Sequence, residues 1–484
     1  MLGGSHARYN TFPYRTDRYD DEEEDDEFIY EGDRPPRTWC LFYGCLVWIL
    51  LITFVATVSR LQKSHVKPPD VDFENWIATT KKVALKRLLD NVSPEGTLNG
   101  CIVASPSKND PDYWYNWIRD GALVANVLIQ EYENLQDKVQ ITHMENILWD
   151  YINFNSLLSK LPTRSSSKND PRGLGEPKYN VDGTAFNGEW GRPQNDGPAL
   201  RSRTLIRFAR EFLKKGGDIN RVKQYIYDSA LPTNTLLKMD LEMVASTVNL
   251  PCFDLWEETY GKHFYTTLVG KRALLEGSNF ALFMNDTGAS IWYYSKTLSL
   301  DKELAQYWNE TVGYIQASKD TRSSSYKASN MDAAVVLASL HSLSHETAET
   351  DELGNNYQPW DPRIKATMKI LKDTFREIYP INHDNVHLPP MIGRYPEDRY
   401  YGGNPWFITT LAFAEAGYIE ESKGKSSVSD ESDGYLKMVR LYMTDHMDEQ
   451  VDKITGNMTS AKDLTWSYAA FLSAVHSRDM AKKM

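Results

Sequence analysis

Helical periodicity limits what this chain can fold into more than any other feature. From about Phe73 to the C-terminus, apolar residues recur at three- and four-residue spacing, in stretches separated by loops rich in Gly, Pro, Ser and Asn. Twelve such stretches lie near 74–91, 120–134, 139–160, 197–214, 219–248, 262–285, 288–318, 330–343, 362–379, 405–419, 433–448 and 464–480. Strand-like alternation is scarce, and no short repeat marks a solenoid. Twelve amphipathic helices bury their apolar faces most simply as a toroid of six inner and six outer helices, an irregular many-helix bundle being the alternative. A length of 484 residues would suit two or three domains, but an all-α barrel of this kind uses it in one, here spanning 73–484.

The N-terminal segment has a different composition. Its first 38 residues hold eleven Asp/Glu against five Arg, which accounts for -6 of a formal net charge of -12. Neither part is basic, which argues against a nucleic-acid partner. Eight consecutive acidic residues, Asp20 to Glu27, predict a disordered tail over 1–38. Trp39 to Ser59 then runs for 21 uncharged residues between Arg37 and Arg60. That length predicts a membrane-spanning helix at 39–59, and the 38 preceding residues fit a cleaved signal peptide poorly. Residues 60–72, with Pro68-Pro69, read as a stalk. Sequons at Asn91, Asn285, Asn309 and Asn457 all follow the apolar stretch. Together these features predict a single-pass type II membrane protein with a cytosolic tail and a luminal or extracellular domain, the vacuole, Golgi and cell surface fitting equally. The lipid bilayer is then one partner. Cys40 and Cys45 fall in the apolar stretch, and the two remaining cysteines, Cys101 and Cys252, either pair or stay as buried thiols.

Chemistry concentrates in the loops. Asp254-Leu-Trp-Glu-Glu258 sets two adjacent carboxylates behind a large aromatic. Mutual repulsion and an apolar neighbour both favour one carboxyl keeping its proton and serving as an acid. Tyr113-Trp-Tyr-Asn-Trp117-Ile-Arg119-Asp120 places a guanidinium and a carboxylate beside aromatics, a set able to grip sugar hydroxyls and cover a pyranose face. Gly173 to Arg201 is a long loop with Trp190 in it, and long ordered loops are usually functional. Gly393-Arg-Tyr-Pro-Glu-Asp398 leads through Tyr400-Tyr401 to Trp406 and supplies a second carboxylate pair among aromatics. Two carboxylate sites in an aromatic setting, with neither a metal-ligand cluster nor a nucleophile motif, suit hydrolysis of a glycosidic bond.

Four sequence blocks carry a family resemblance: GLGEPKYNVDGTAFNGEWGRPQNDGPALR, DLWEE, GRYPEDRYYGGNPWF and LTWSYAA. In this order and spacing they resemble the fungal glucoamylases of glycoside hydrolase family 15, over roughly residues 75–480. The resemblance implies an (α/α)6 barrel with a pocket at one end, working without a metal or organic cofactor. It implies Glu257 as general acid and Glu397 as general base, with inversion releasing β-D-glucose from α-1,4-linked (more slowly α-1,6-linked) non-reducing ends of maltodextrin or glycogen. Inverting enzymes hold these carboxyls about 6.5–9.5 Å apart to admit a water. It further implies that Arg119 and Asp120 bind the terminal glucose, that Glu258 and Arg376 frame the next position, and that Tyr113, Trp117, Trp190, Trp256 and Trp406 supply aromatic contacts. Gly183 and Asn195 depart from the family pattern and are expected to alter subsite affinity; Gly402 departs as well. No Ser/Thr-rich linker or starch-binding module follows LTWSYAA, so soluble glucans are the expected substrates and a monomer the expected state. Two other functions fit the same residues: a catalytically silent glycan-binding membrane protein, and an inverting α-glycosidase of another linkage specificity, such as one acting on trehalose.

Overall fold

Six helices pack side by side into a closed ring in the computed structural model, which describes residues 71–165, 171–322, 327–344, 356–424 and 427–483. The twelve principal helices are α1 (Val71–Asp90), α2 (Ile118–Asn134), α3 (Lys138–Leu158), α4 (Asp196–Lys214), α5 (Leu236–Thr247), α6 (Phe264–Phe283), α7 (Thr287–Thr297), α8 (Ala334–His341), α9 (Pro362–Ile378), α10 (Phe407–Gly424), α11 (Asp430–Tyr442) and α12 (Thr465–Lys482). The even-numbered helices form the ring: α2 packs on α4, α4 on α6, α6 on α8, α8 on α10, α10 on α12, and α12 back on α2. Each odd-numbered helix packs outside a neighbouring inner one.

The division follows from side-chain chemistry. The inner helices are buried nearly all round, through apolar runs such as Ala122 to Ile129 of α2 and Phe407 to Ala414 of α10, and in α4 also through polar residues that find partners, such as Arg201 and Arg203. A helix buried on every face belongs in the core. The outer helices α9 and α11 bury one stripe only, through Ile364, Leu371 and Phe375 in the first and Tyr435, Leu436 and Val439 in the second. Caps set the ends. Asp137 accepts from the Gln140 amide at the start of α3, and Asp361 caps α9 ahead of Pro362 in its first turn.

Two predicted helices are shorter than expected. The 219–248 stretch breaks into Ile219–Tyr225 and α5, because Pro232 and its polar neighbours cannot continue the ladder. The 288–318 stretch ends its helical part at Ala305 and turns back through a β-hairpin at Asn309 to Gly313. Among the described residues short strands occur in the loops: β1 (Asn116–Trp117) with β2 (Lys178–Tyr179), β3 (Cys252–Phe253) with β4 (Tyr260–His263), β5 (Trp308–Asn309) with β6 (Tyr314–Ile315), β7 (Ser318–Lys319) on β4, and β8 (Gln450–Val451) with β9 (Met458–Thr459).

The expected fold class, a barrel behind a membrane-crossing helix, needs correction. No helix among the described residues is long and apolar enough to cross a membrane. The expected span at 39–59 and the acidic tail at 1–38 lie outside the described residues. Val71 and Asp72, expected in the stalk, already belong to α1.

Cys101 and Cys252 are both free, buried thiols, each pushed up to about 12 by burial. Of the four sequon asparagines, Asn91 is buried, and its amide donates to the Asp463 carbonyl at 3.1 Å and Thr465 Oγ1 at 2.9 Å. An attached glycan would break both bonds. Asn285 and Asn457 are exposed.

Candidate active site

The loops that enter the N-terminal ends of the inner helices converge on a cavity of about 640 Å³. Arg119 and Asp120, in the first turn of α2, line it. Arg119 is buried and firmly held: Nη1 donates to Gln194 Oε1 at 2.9 Å and Asp196 Oδ2 at 3.0 Å, and Nη2 to Glu257 Oε1 at 3.4 Å. Its Nε faces Asp120 Oδ2 at 3.7 Å, an ion pair too long for a hydrogen bond. Burial raises the Asp120 carboxyl to about 6, against the pull of Arg119 and helped by the charges of Glu257 and Asp196.

Glu257 is held from both sides. Oε1 accepts from Trp117 Nε1 at 2.7 Å and Gln194 Nε2 at 2.9 Å, and Oε2 from Trp190 Nε1 at 2.7 Å. Its backbone is left-handed, φ 69°, in a turn closed by its own amide donating to the Asp254 carbonyl at 2.9 Å. A non-glycine residue in that region costs on the order of 1–3 kcal/mol and persists only where the surroundings over-determine it. Here Asp254 does so: Oδ1 accepts from the amides of Glu258 and Thr259, and Oδ2 from Lys327 Nζ at 2.7 Å. Burial would raise the Asp254 carboxyl, but the Lys327 ammonium and these bonds hold it at about 2.

Glu258 turns to a different set of partners: Arg394 Nη2 at 2.9 Å, Tyr395 Oη at 2.7 Å and Lys327 Nζ at 3.3 Å. Asp398 grips the Arg394 guanidinium in a bidentate pair at 2.8 and 2.6 Å, beside the rings of Trp256, Tyr400 and Trp406. Gly403 sets the approach to Trp406. Its φ is 70°, and a Cβ there would fall 1.9 Å from the Asp398 carbonyl oxygen, so only glycine closes this turn.

Of the expected residues, Tyr113, Trp117, Arg119, Asp120, Trp190, Trp256, Glu257, Glu258 and Trp406 all line the one cavity. Glu397 and Arg376 do not. The Glu397 carboxylate accepts from the Ser329 amide at 2.7 Å and Ser329 Oγ at 3.1 Å, which ties two loops together away from the cavity wall. Arg376 donates to the carbonyls of Asn382, Asn385 and Leu388 and braces the turn after α9. Arg394 occupies the place beside Glu258 that was expected of Arg376. The departures Gly183 and Asn195 also lie off the wall: Gly183 faces Leu98 and Leu157, and Asn195 is buried at the entry to α4.

The carboxylate that reasoning from sequence missed is Glu449. It lines the cavity, is buried, and stands just ahead of β8, where Gln450 bridges to Trp406. Oε2 accepts from Ser460 Oγ, and from Gln450 Nε2 at 3.1 Å. Burial pushes its carboxyl up to about 7, against the lowering pull of the Ser460 and Tyr113 hydroxyls, Arg394 and Gln450. Tyr113 links the two candidates: its phenol feels the charges of both Glu449 and Glu257 and pairs with Tyr400 Oη at 2.8 Å. The one local signal for Glu449 was the adjacent pair Asp448-Glu449 shortly before LTWSYAA.

Residues 81–476 match the family described as glycosyl hydrolases family 15. The chain belongs to that family. Glucoamylase-1 of Schizophyllum commune is 33% identical over 448 residues, covering 83% of this chain and 74% of that one. A probable glucoamylase of Schizosaccharomyces pombe is 30% identical over 490 residues, covering 92% of this chain and 99% of that one. Among solved structures, the family 15 glucoamylase of Hypocrea jecorina superposes with a TM-score of 0.74 at 31% identity, over 84% of this chain and 72% of that one. This family 15 member is thus a glycoside hydrolase of the glucoamylase type.

Proposed function

We propose that the cavity hydrolyses the terminal α-1,4-linked glucose of a maltodextrin or glycogen chain with inversion, Glu257 acting as general acid and Glu449 as general base. The observation that carries this reading is the pairing, in one cavity, of a carboxyl held by two indole N–H groups with a second, buried carboxyl on a separate loop. Arg119 and Asp120, an ion pair on the cavity wall, receive the hydroxyls of a chain end, which favours exo action. Trp256 and Trp406, with ring centroids 5.6 Å apart, offer apolar faces to the pyranose. Arg394 and Glu258 border the next sugar.

The reaction then balances simply. Protonated Glu257 gives its proton to the glycosidic oxygen, and the C1–O bond breaks with its electron pair going to that oxygen. Glu449, ionised, takes a proton from a water that attacks C1 from the opposite face. The product is β-D-glucose. Comparing Glu449→Gln with Glu397→Gln tests the assignment: the first is expected to lose on the order of 10²–10⁴ in kcat on maltotriose and the second to stay within a few-fold of wild type. The reverse pattern would return the base to Glu397.

A further inference from the structure

Lys178 has no part in the reaction above, yet its placement is costly. It lies on β2 opposite Trp117 of β1 and is buried. Its ammonium sits 3.4 Å from the centroid of Trp190, 4.2 Å from those of Tyr115 and Phe186, and 4.6 Å from that of Trp117. Burial pulls the Lys178 pKa down to about 8, with Glu257 and Asp112 holding its proton on and Arg192 opposing them. Desolvating an ammonium in this way needs compensation, and four aromatic faces supply part of it.

Two of those rings also touch the chemistry. The indole N–H groups of Trp117 and Trp190 each hold a different oxygen of Glu257 at 2.7 Å. A cation on an indole face draws electron density from the ring and makes its N–H a stronger donor. When Glu257 protonates the leaving oxygen it becomes an anion, and donors preorganised toward developing charge stabilise the transition state.

We propose that Lys178 is a positioning residue for leaving-group protonation: caged on Trp117 and Trp190, its ammonium strengthens the two indole bonds that hold Glu257 and stabilises the carboxylate left when the proton departs. This rests on the assignment of Glu257 as the acid. The alternative role, a cage that only pins the 173–195 loop, would affect every substrate alike.

The test compares kcat and KM of the full chain on maltotriose and on α-D-glucosyl fluoride, for wild type, Lys178→Met, Lys178→Arg and Glu257→Gln. Fluoride leaves C1 with the bonding pair and needs no proton from the enzyme. Lys178→Met is expected to lose roughly ten- to a hundredfold in kcat on maltotriose, to lose less than about threefold on the fluoride, and to keep its KM. Lys178→Arg, which retains the charge, should recover part of the loss. Turnover of the fluoride itself reports an intact fold. Equal losses on the two substrates, no loss on maltotriose, or an Arg variant no better than the Met variant would each overturn the proposal. Glu257→Gln separates the premise: it should fail on maltotriose and still turn over the fluoride. Wild-type activity on maltotriose in that variant would remove Glu257 as the acid, whatever Lys178 does.

Discussion

Replacing Glu449 by Gln should make the protein more stable at neutral pH while removing its activity. Burial pushes this carboxyl from 4.5 up to about 7. A tenfold change in proton affinity corresponds to about 1.4 kcal/mol, so holding the ionised form in the folded protein costs about 3 kcal/mol. The sign follows from the raised folded value. The protonated side chain is favoured by folding, its contribution is complete below about pH 4.5, and it is lost as pH rises through about 7. Glutamine cannot ionise and lacks this slope, and it can still accept from Ser460 and Gln450. The stability of Glu449→Gln relative to wild type should therefore grow by about 3 kcal/mol between pH 4 and pH 8. With unfolding entropy near 2 cal/mol/K per residue and roughly 400 residues unfolding, that corresponds to about 3–4 °C in Tm. Thermal scans by far-UV circular dichroism at pH 4, 6 and 8 measure it, with maltotriose hydrolysis followed in parallel. A Tm difference that stays constant across the three pH values would mean that Glu449 ionises in the fold as readily as in water, and that its burial carries no such cost.

Other consequences are separable. Arg394→Lys breaks the bidentate pair with Asp398 and the bond to Glu258, and should raise KM for maltose with a smaller effect on kcat; Arg376→Lys, which leaves the cavity untouched, should leave KM unchanged. Asn91→Ala leaves the buried Thr465 hydroxyl and the Asp463 carbonyl without their donor and should cost on the order of 1–3 kcal/mol in urea unfolding. Cys101 and Cys252, buried and pushed up to about 12, should react with a thiol reagent at neutral pH only after the chain is unfolded.

The sequence carried the twelve helices well because apolar periodicity is a local property. Where it failed, the helix was broken by single residues such as Pro232, or by the Asn309 turn. The Arg119–Asp120 and Glu257–Glu258 pairs were legible because their aromatic neighbours stand beside them in the chain. Glu449 was not, because its surroundings are assembled from afar: Tyr113, Arg394 and Tyr400 reach it from other loops. The GRYPED stretch shows the complementary case. Glu397 keeps aromatic company in sequence, yet Ser329 from another loop claims its carboxylate. Arg376 and Arg394 show the same contrast. A guanidinium finds carbonyls at a helix end in one case and the Glu258 carboxylate on the cavity wall in the other, and only the fold decides which.

The most direct test of the central claim is the anomeric form of glucose freshly released from maltotriose, followed by proton NMR before mutarotation. β-D-Glucose is expected first, from a water activated by Glu449 on the face opposite Glu257. α-D-Glucose first would mean a retaining reaction, and the pairing of Glu257 as acid with Glu449 as base would be contradicted.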